Sequence, residues 1–325
     1  MRTLDRILVV VSTVSALTLG GVYVLLRLRP ESAWPNCLVA YAPQWTWFAA
    51  STVALLVSLR SRSRWLKLAN AAVCILVLPV LCGFSTGFPS RGAHSPQDAG
   101  ARVITWNTHD EYRDAAQIRR ALLSYSPDVV CLQEAWDDAF DDLLPDWYEA
   151  RRPPLRIFTR QPMHSIKRFG LNRPEYRDWL KCTTRVGGRW LVVYNIHILP
   201  AEGPQTLSAH EGELSEYLHE TVLRREMQFR FIASHVTRAL PAVVCGDFNT
   251  PPTSRLHDIL SCCLADSYAH TRFGLGLSYL LAKEVPAWRI DYVWCGQGLR
   301  PLACRLGEAG PSDHRPVIAD ITIDS

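Results

Sequence analysis

Hydrophobic and polar positions divide the chain into two regimes that meet near residue 90. Before it, three long stretches carry no charged residue: Ile7–Leu26, Cys37–Leu59 and Leu68–Phe88. As helices, each is long enough to cross a hydrocarbon core about 30 Å thick. The pattern therefore predicts three transmembrane helices, at about 7–26, 37–59 and 68–88. A signal peptide is a poorer reading of the first stretch, whose apolar run is too long and lacks a small-x-small cleavage site. Helices of a soluble core fit poorly too, because only charged loops separate the three. Residues 89–100, rich in Gly, Pro, Ser and polar side chains, read as a linker.

Beyond residue 100 the apolar runs shorten to strand length. Arg102–Trp106, Val129–Gln133, Arg189–His197, Ala242–Cys245, Ile290–Cys295 and Val317–Ile323 are rich in β-branched and aromatic residues. Two segments have helical spacing instead. Ala115–Tyr125 places Ile118, Leu122 and Leu123 to one side, and Glu211–Val236 keeps Leu214, Leu218, Val222, Phe229 and Ile232 roughly in phase. Strands mixed with helices predict an α/β domain over 101–325, preceded by a membrane module at 1–88.

Charge sharpens the division. The 325 residues carry a net +4, but residues 1–100 hold nine basic residues against three acids, leaving 26 basic against 28 acidic in the remainder. The larger region thus has no general positive field of the kind that gathers nucleic acid. A local run, Arg151, Arg152, Arg156, Arg160, Lys167 and Arg168, reads as a solvated loop. In the membrane module, Arg2, Arg6, Arg60, Arg62, Arg64 and Lys67 fall on one side of a three-span topology, and Arg27 and Arg29 on the other. Positive charge stays in the cytoplasm, so residues after 88 are expected outside it, with Tyr41, Trp45 and Trp47 near the opposite interface. Seven cysteines follow residue 101. Cys131, Cys245 and Cys295 lie in apolar runs where a thiol acts as a small core residue, and no C-x-x-C pair suggests structural zinc.

Most of the short runs end on, or lie next to, a residue that can bind a metal, move a proton or donate to a phosphate. These are Asn107, Glu134, His197, Asp247, Asn249, Asp291, Asp313 and His314. Asp247 and Asn249 are two apart and share a face on an extended chain, with Phe248 opposite and Pro251-Pro252 ending the strand. Singly, each is as well explained as a turn or surface residue. Together they point to a site where strands of a central sandwich end. His109, His164, His257 and His270 have no motif around them. "HEGEL" at 210–214 lacks the second histidine of a zinc motif, and with His219, Glu216 and Glu220 it reads as a solvated helix face.

The motifs "WNTH", "CLQEAW", "YNIHIL", "GDFNTPP", "RIDYVW" and "SDHRPV" occur in an order and spacing that resemble the endonuclease/exonuclease/phosphatase superfamily. The resemblance covers about 101–325 and implies a four-layer α/β sandwich, two mixed sheets packed face to face with helices outside. It implies Glu134 as the main carboxylate for Mg²⁺, or Mn²⁺ in its place, with Asn107 and Asp313 supporting the metal and its waters. Asp247 and Asn249 would reach the scissile phosphate and attacking water, His197 would donate to a phosphoryl oxygen, and Asp291 would partner His314. The residues leave two candidates for the general base, His314 held by Asp291, or Asp247. Arg225 and Gln228 match helix positions that serve packing. Thr159-Arg160 stands where Ser-Arg is usual, and the segment after Glu134 is short, so the resemblance says least about substrate loops.

These observations imply a membrane-anchored, metal-dependent phosphoric ester hydrolase acting by activated water. The charge balance and the anchor lean towards a lipid or small phosphoester substrate. An extracytoplasmic nuclease acting on DNA or RNA is the alternative within the enzyme class. A catalytically inactive binding module of the same fold is the alternative outside it. Beyond the lipid bilayer and a phosphoester substrate, no protein partner is implied.

Overall fold

The computed structural model describes residues 3–28, 31, 36–88, 100–109, 114–136, 138–171, 179–200 and 214–323. The expected linker at 89–100 lies outside these, apart from Gly100, as do His210 and Glu211. The chain divides into two compact units, one built on the helices up to Phe84 and the other on the strands from Ser85 onward.

The helical unit holds α1 (Thr3–Leu28), α2 (Asn36–Ala40), α3 (Thr46–Ser58) and α4 (Arg64–Leu81). Two of these, α1 and α4, are long and apolar enough to cross a membrane; the expected third span at 37–59 is not one helix. It breaks at 41–45, where Pro43 cannot continue a helix and its carbonyl accepts the Thr46 N–H instead. What remains, α3, has 13 residues and is about 20 Å long. The last span is also shifted from 68–88 to Arg64–Leu81. Ser63 Oγ accepts the Leu66 N–H and starts α4 ahead of its apolar run, and Gly83 at φ +64° follows its end.

Hydrogen bonds set the order of the helical unit. Ser61 Oγ donates to Asp5 Oδ1 (2.8 Å) and Asn70 Nδ2 to Ser12 Oγ (3.0 Å), while at the other end Asn36 Nδ2 donates to the Leu25 carbonyl (2.8 Å) and Gln44 Nε2 to that of Cys82 (2.7 Å). So α1 and α4 start at one end, and the α2–α3 segment returns between them. Ile7, Val10, Leu17, Val53, Leu56, Leu68, Ile75 and Leu76 face outward, each more than half exposed.

The strand unit opens with β1 (Ser85–Thr86), then runs β2 (Ala101–Asn107), α5 (Ala115–Ser124), β3 (Val129–Gln133), β4 (Tyr148–Arg152), β5 (Leu155–Thr159) and β6 (His164–Phe169). It continues through β7 (Trp179–Val186), β8 (Arg189–His197), α6 (Leu214–His235), β9 (Ala242–Asp247), α7 (Leu256–Ser261), β10 (Ala265–Asp266) and α8 (Ser267–Thr271). It closes with β11 (Phe273–Gly274), β12 (Tyr279–Leu281), β13 (Val285–Trp288), β14 (Asp291–Cys295), β15 (Leu299–Leu306) and β16 (Val317–Ile323). The two main sheets have the orders β15-β16-β2-β3-β5-β4 and β10-β14-β9-β8-β7-β6. Their pairing patterns match. Each has one parallel pair at its centre, β2 with β3 and β8 with β9, flanked by antiparallel neighbours.

Alternation along the central strands makes the layers. In β2, Ile104 and Trp106 join Ile118 and Leu122 of α5 in the outer core, whereas Val103 turns inward; in β3, Val130 and Leu132 face out while Val129 and Cys131 face in. Leu123, expected beside Leu122, is 40% exposed, because one residue turns a helix by about 100°. On the second sheet α6 buries Phe229 and Ile232. Helix, sheet, sheet and helix are the layers expected from sequence. Cys131, Cys182, Cys245, Cys295 and Cys304 are buried free thiols within this sandwich.

The basic run at 151–168 is solvated as expected except at Arg156, but it is not a loop. It lies on β4 to β6 and after β5, and Arg156 is fully buried, with Nη1 donating to Asp141 Oδ1 (2.7 Å) and Glu149 Oε1 (2.8 Å). Arg151 pairs with Asp141 and Asp138, and Arg160 covers the Trp147 ring. Acids from the preceding connection and from β4 take up the charge of Arg151 and Arg156.

Gly246 shows how tightly the central pair is built. Its φ is +144°, and a Cβ there would lie 1.8 Å from the Ile196 carbonyl oxygen on β8. We expect Gly246→Ala to destabilise the strand unit by about 3 kcal/mol or more, combining a conformation essentially restricted to glycine with a backbone clash. Urea denaturation measures it, and a loss within about 0.5 kcal/mol contradicts this account of the strand.

Candidate functional site

Parallel central pairs bring the carboxyl ends of four strands to one edge of the sandwich. There β2 ends on Asn107, β3 is followed by Glu134, β8 ends on His197 and β9 on Asp247. The antiparallel neighbour β14 runs the other way, so its first residue, Asp291, pairs in register with Asp247, as His197 does from β8. Asp313 and His314 precede β16, which is antiparallel to β2.

The side chains converge. Asn107 Nδ2 donates to Glu134 Oε1 (3.1 Å) and to Asp247 Oδ2 (3.0 Å), tying the two sheets together. His197 Nε2 lies 3.6 Å from Glu134 Oε1 and 3.7 Å from Asp247 Oδ2. His314 Nδ1 is 2.9 Å from Asp291 Oδ2, and its Nε2 is 3.9 Å from Asp247 Oδ2 and 4.0 Å from Asp313 Oδ1. Asn249 behaves differently from the expectation of a shared strand face. The strand stops at Asp247, Asn249 takes a left-handed φ of +48°, and its N–H donates to Asp247 Oδ1 (2.8 Å) in an Asx-type turn. Its side-chain Nδ2 donates to the Ile198 carbonyl (3.0 Å). Arg225, expected only to pack, donates through Nη2 to the Asn249 carbonyl and to Thr250 Oγ1, and Gln228 Oε1 accepts the Leu199 N–H.

Several supporting residues carried no signal in the sequence. Ser278 Oγ donates to Asp291 Oδ2 (2.7 Å) and accepts the N–H groups of Ile290 and Asp291 (both 3.1 Å). Ser312 Oγ donates to the Asn107 carbonyl and accepts the His314 N–H, while Trp106 and Trp179 donate their indole N–H groups to the carbonyls of His314 and His197. One layer below the site, Gln133 Nε2 donates to Thr105 Oγ1 (3.0 Å) and, across the sheets, to Asn195 Oδ1 (2.6 Å). Asn195 Nδ2 in turn donates to the carbonyls of Leu132 and Arg156. Trp106, Gln133, Asn195 and Ser312 sit inside the quoted motifs but look there like filler. Ser278 is positioned by the β12 strand, whose Tyr279 bridges His314. His109, the last residue of "WNTH" but assigned no role from sequence, places Nδ1 3.6 Å from Asp313 Oδ1 and 3.8 Å from Glu134 Oε2.

Burial shapes the electrostatics. Burial and the nearby Asp291 carboxylate push Asp247 up to about 7, against opposing effects from His314, the Asn107 amide and the Asn249 N–H. Burial alone pulls His314 down, but the Asp291 carboxylate bonded to it, with Asp247 and Asp313 behind, brings it up to about 10. At neutral pH the ring is therefore an imidazolium that donates, and Asp247 is poised to exchange a proton.

The donor set suits a hard divalent cation. Four carboxylates, Glu134, Asp247, Asp291 and Asp313, share one edge with the Asn107 amide, an oxygen-rich set of the type that holds Mg²⁺ or Mn²⁺. Among the described residues, Asp247, Asp291 and His314 form the group whose ligand atoms all lie within 4.8 Å of one another. However, Asp291 Oδ2 already takes up Ser278 and the His314 ring, which favours proton handling there.

The description "Endonuclease/Exonuclease/phosphatase family" belongs to the family profile that matches residues 104–314. Solved structures show the same fold. An endonuclease/exonuclease/phosphatase from Beutenbergia cavernae DSM 12333 is 20% identical with a TM-score of 0.52, covering 69% of this chain and 72% of that one. Humanized TDP2 of D. rerio with 14 mutations is 16% identical at 0.52, covering 68% and 98%. An AP endonuclease from Archaeoglobus fulgidus is 16% identical at 0.51, covering 69% and 100%. Curated proteins gave no match.

The two shifted groups give opposite pH signatures in metal-free protein. The His314 value, raised from 6.5 to about 10, adds stability that is full below pH 6.5 and lost as pH rises through 10. His314→Asn should therefore cost about 3–5 kcal/mol at pH 6, the loss typical of one partner of a buried pair, and markedly less at pH 10.5. The Asp247 value, raised from 3.8 to about 7, removes stability as pH rises across that window, so Asp247→Asn should melt above wild type at pH 8 and level with it near pH 4. Thermal melts in EDTA read both, and parallel pH curves for the variants and wild type count against these assignments.

Proposed function

Because the chain belongs to the endonuclease/exonuclease/phosphatase family, we propose that it is a divalent-metal-dependent phosphoester hydrolase, held at a membrane by its N-terminal helices, with residues 101–325 as the catalytic domain. One observation carries this reading. A buried carboxylate, Asp247, with its pKa near neutrality, sits among three donors, Asn107, His197 and His314, that face it from three other strands or strand connections.

The roles follow from the geometry. Asp247 takes a proton from the attacking water. The Asn107 amide, His197 and the His314 imidazolium donate to the non-bridging oxygens as negative charge grows on them. Asp291, itself held by Ser278, keeps His314 charged and oriented. Glu134, with Asn107 and Asp313 supporting the ion and its waters, would hold Mg²⁺ or Mn²⁺, which would supply Lewis-acid neutralisation of the phosphoryl group. Asn249 fixes the turn that aims Asp247 and lies close enough to meet the substrate. With these positions filled, an inactive binding module is the weaker reading.

A lipid or small phosphoester is favoured over nucleic acid. The strand region is close to neutral, and Arg151, Arg156 and Arg160 are taken up by acids or by Trp147. The helical unit supports membrane anchoring, since its apolar side chains face outward, unlike a soluble core helix. Asp5 and Ser61 meet at one end, so Arg6, Arg60, Arg62, Arg64 and Lys67 gather there against Arg27 at the other. Because basic residues tend to stay on the cytoplasmic side, that asymmetry supports a cytoplasmic position for this end and an extracytoplasmic one for the strand unit.

Glu134→Gln should reduce hydrolysis of bis-p-nitrophenyl phosphate at least 10³-fold with folding retained, and Asp247→Asn should reduce kcat by about 10²–10⁴. Near-normal turnover in either removes that residue from the chemistry. A Mg²⁺-dependent panel of plasmid DNA, sphingomyelin, phosphoinositides and bis-p-nitrophenyl phosphate names the substrate class; preference for plasmid DNA makes the protein a nuclease. A reporter fused at the C-terminus should signal an extracytoplasmic position, and a cytoplasmic signal rejects the orientation.

A further inference from the structure

Outside the hydrolytic edge, three arginines of the strand unit line one cavity. Its volume is about 360 Å³, within the size range of small-molecule sites. Arg272, Arg305 and Arg315 meet there with Tyr268, and no acid is among its described residues. The chain answers their charge poorly. Among the described residues, no carboxylate pairs with Arg272 or Arg315. Arg305 Nη1 stands 3.9 Å from Asp320 Oδ2, and that carboxylate is already held by Arg102 at 2.6 and 3.1 Å. The buried Arg156 and Arg289, by contrast, each hold a carboxylate at 2.7 Å. Guanidinium groups gathered without matching acids repel one another until an anion enters.

The lining is held in place. Arg315 Nε donates to the Gly307 carbonyl (2.8 Å), which leaves its terminal nitrogens for another acceptor. Just past α8, the Arg272 N–H donates to the Tyr268 carbonyl (2.9 Å). Gly276 has a φ of +64°, and a Cβ there would lie 2.6 Å from the Tyr268 ring, so this turn packs against the ring and fixes it. Burial pushes the Tyr268 phenol up, against the opposing effects of Arg289 and Arg272, so it stays protonated and able to donate. The cavity shares backbone with the candidate site. Residues 275–277 run into Ser278, and the Arg315 N–H donates to the Ser278 carbonyl (2.7 Å). His314 turns to Asp291 while Arg315 turns to the cavity, so the two sites are distinct.

We propose that this cavity binds a phosphomonoester group, separate from the phosphoester that is hydrolysed. Such a group carries about 1.5 to 2 negative charges at neutral pH and three acceptor oxygens, which match guanidinium forks and a phenol donor. The residue after Arg272, Phe273, stacks its exposed ring on exposed Phe88 (centroids 5.9 Å apart), an apolar surface that suits the chains of a lipid carrier. The proposal goes beyond the hydrolase reading and needs no metal, so it stands or falls separately from that reading.

The test is calorimetry on the full-length protein in neutral detergent with EDTA, titrated with inorganic phosphate, glycerol 3-phosphate and dihexanoyl phosphatidic acid. Wild type should bind phosphate. Arg272→Gln and Arg305→Gln should each weaken binding about tenfold, with thermal melts checking that both fold. Arg300→Gln, which removes an exposed arginine of β15 outside the cavity, should change it less than about twofold, as should His197→Asn, which removes a donor of the hydrolytic site. Tighter binding of phosphatidic acid than of glycerol 3-phosphate assigns the cavity to a lipid headgroup, and equal affinity assigns it to a soluble phosphate. No binding by wild type, wild-type affinity in Arg272→Gln and Arg305→Gln, or an equal loss in Arg300→Gln overturns the proposal. A loss in His197→Asn alone moves the phosphate to the hydrolytic site and overturns it too.

Discussion

The 2.6 Å hydrogen bond from Gln133 Nε2 to Asn195 Oδ1 is the contact on which the arrangement of the candidate site depends. It crosses between two sheets otherwise packed through apolar side chains, one layer beneath the site. Asn195 also donates to the carbonyls of Leu132 and Arg156, so a single side chain from one sheet grips two strands of the other. A buried amide without partners is costly, and these amides can be satisfied in only one register. That register carries Glu134, just past β3, and His197, at the end of β8, to 3.6 Å from each other. Asn107 repeats the device one layer up, joining Glu134 to Asp247.

Matching pairing patterns in the two sheets explain why so many polar groups meet without strand-long runs of polar residues. A parallel pair puts two carboxyl ends side by side, and an antiparallel neighbour adds the first residue of a third strand. Facing two such sets doubles the supply. Everything below remains apolar and close-packed, as Cys131, Val129 and Cys245 do in the shared core. Polar chemistry is confined to the rim, where it is supported from below and open from above.

Burial then divides labour among similar groups. Asp247 and Asp291 are both fully enclosed aspartates on adjacent strands, but Asp291 has Ser278 and His314 on one oxygen, whereas Asp247 is the residue pushed towards neutrality. The same pair keeps His314 charged. Placing like charges this close is unfavourable for folding and useful for chemistry, an instance of stability given up at a working site.

The short strands, the helices over 115–125 and 211–236, the outward apolar face of the N-terminal region and the strand-end positions of Asn107, Glu134, His197, Asp247, Asp291 and His314 were legible in the sequence. Periodicity reports which face is buried, and strand ends are marked by the polar residues that interrupt an apolar run. Other features were not. The broken middle helix at 41–45 and the turn at Asn249 are local features that the apolar pattern passes over, while tertiary structure alone decided the cover on Arg151 and Arg156 and the roles of Ser278, Gln133, Asn195 and His109, which depend on partners in other strands or connections. A local pattern records whether a residue is polar or apolar. It does not record which distant group answers a hydrogen bond or a charge, and that is settled only when the two sheets close on each other.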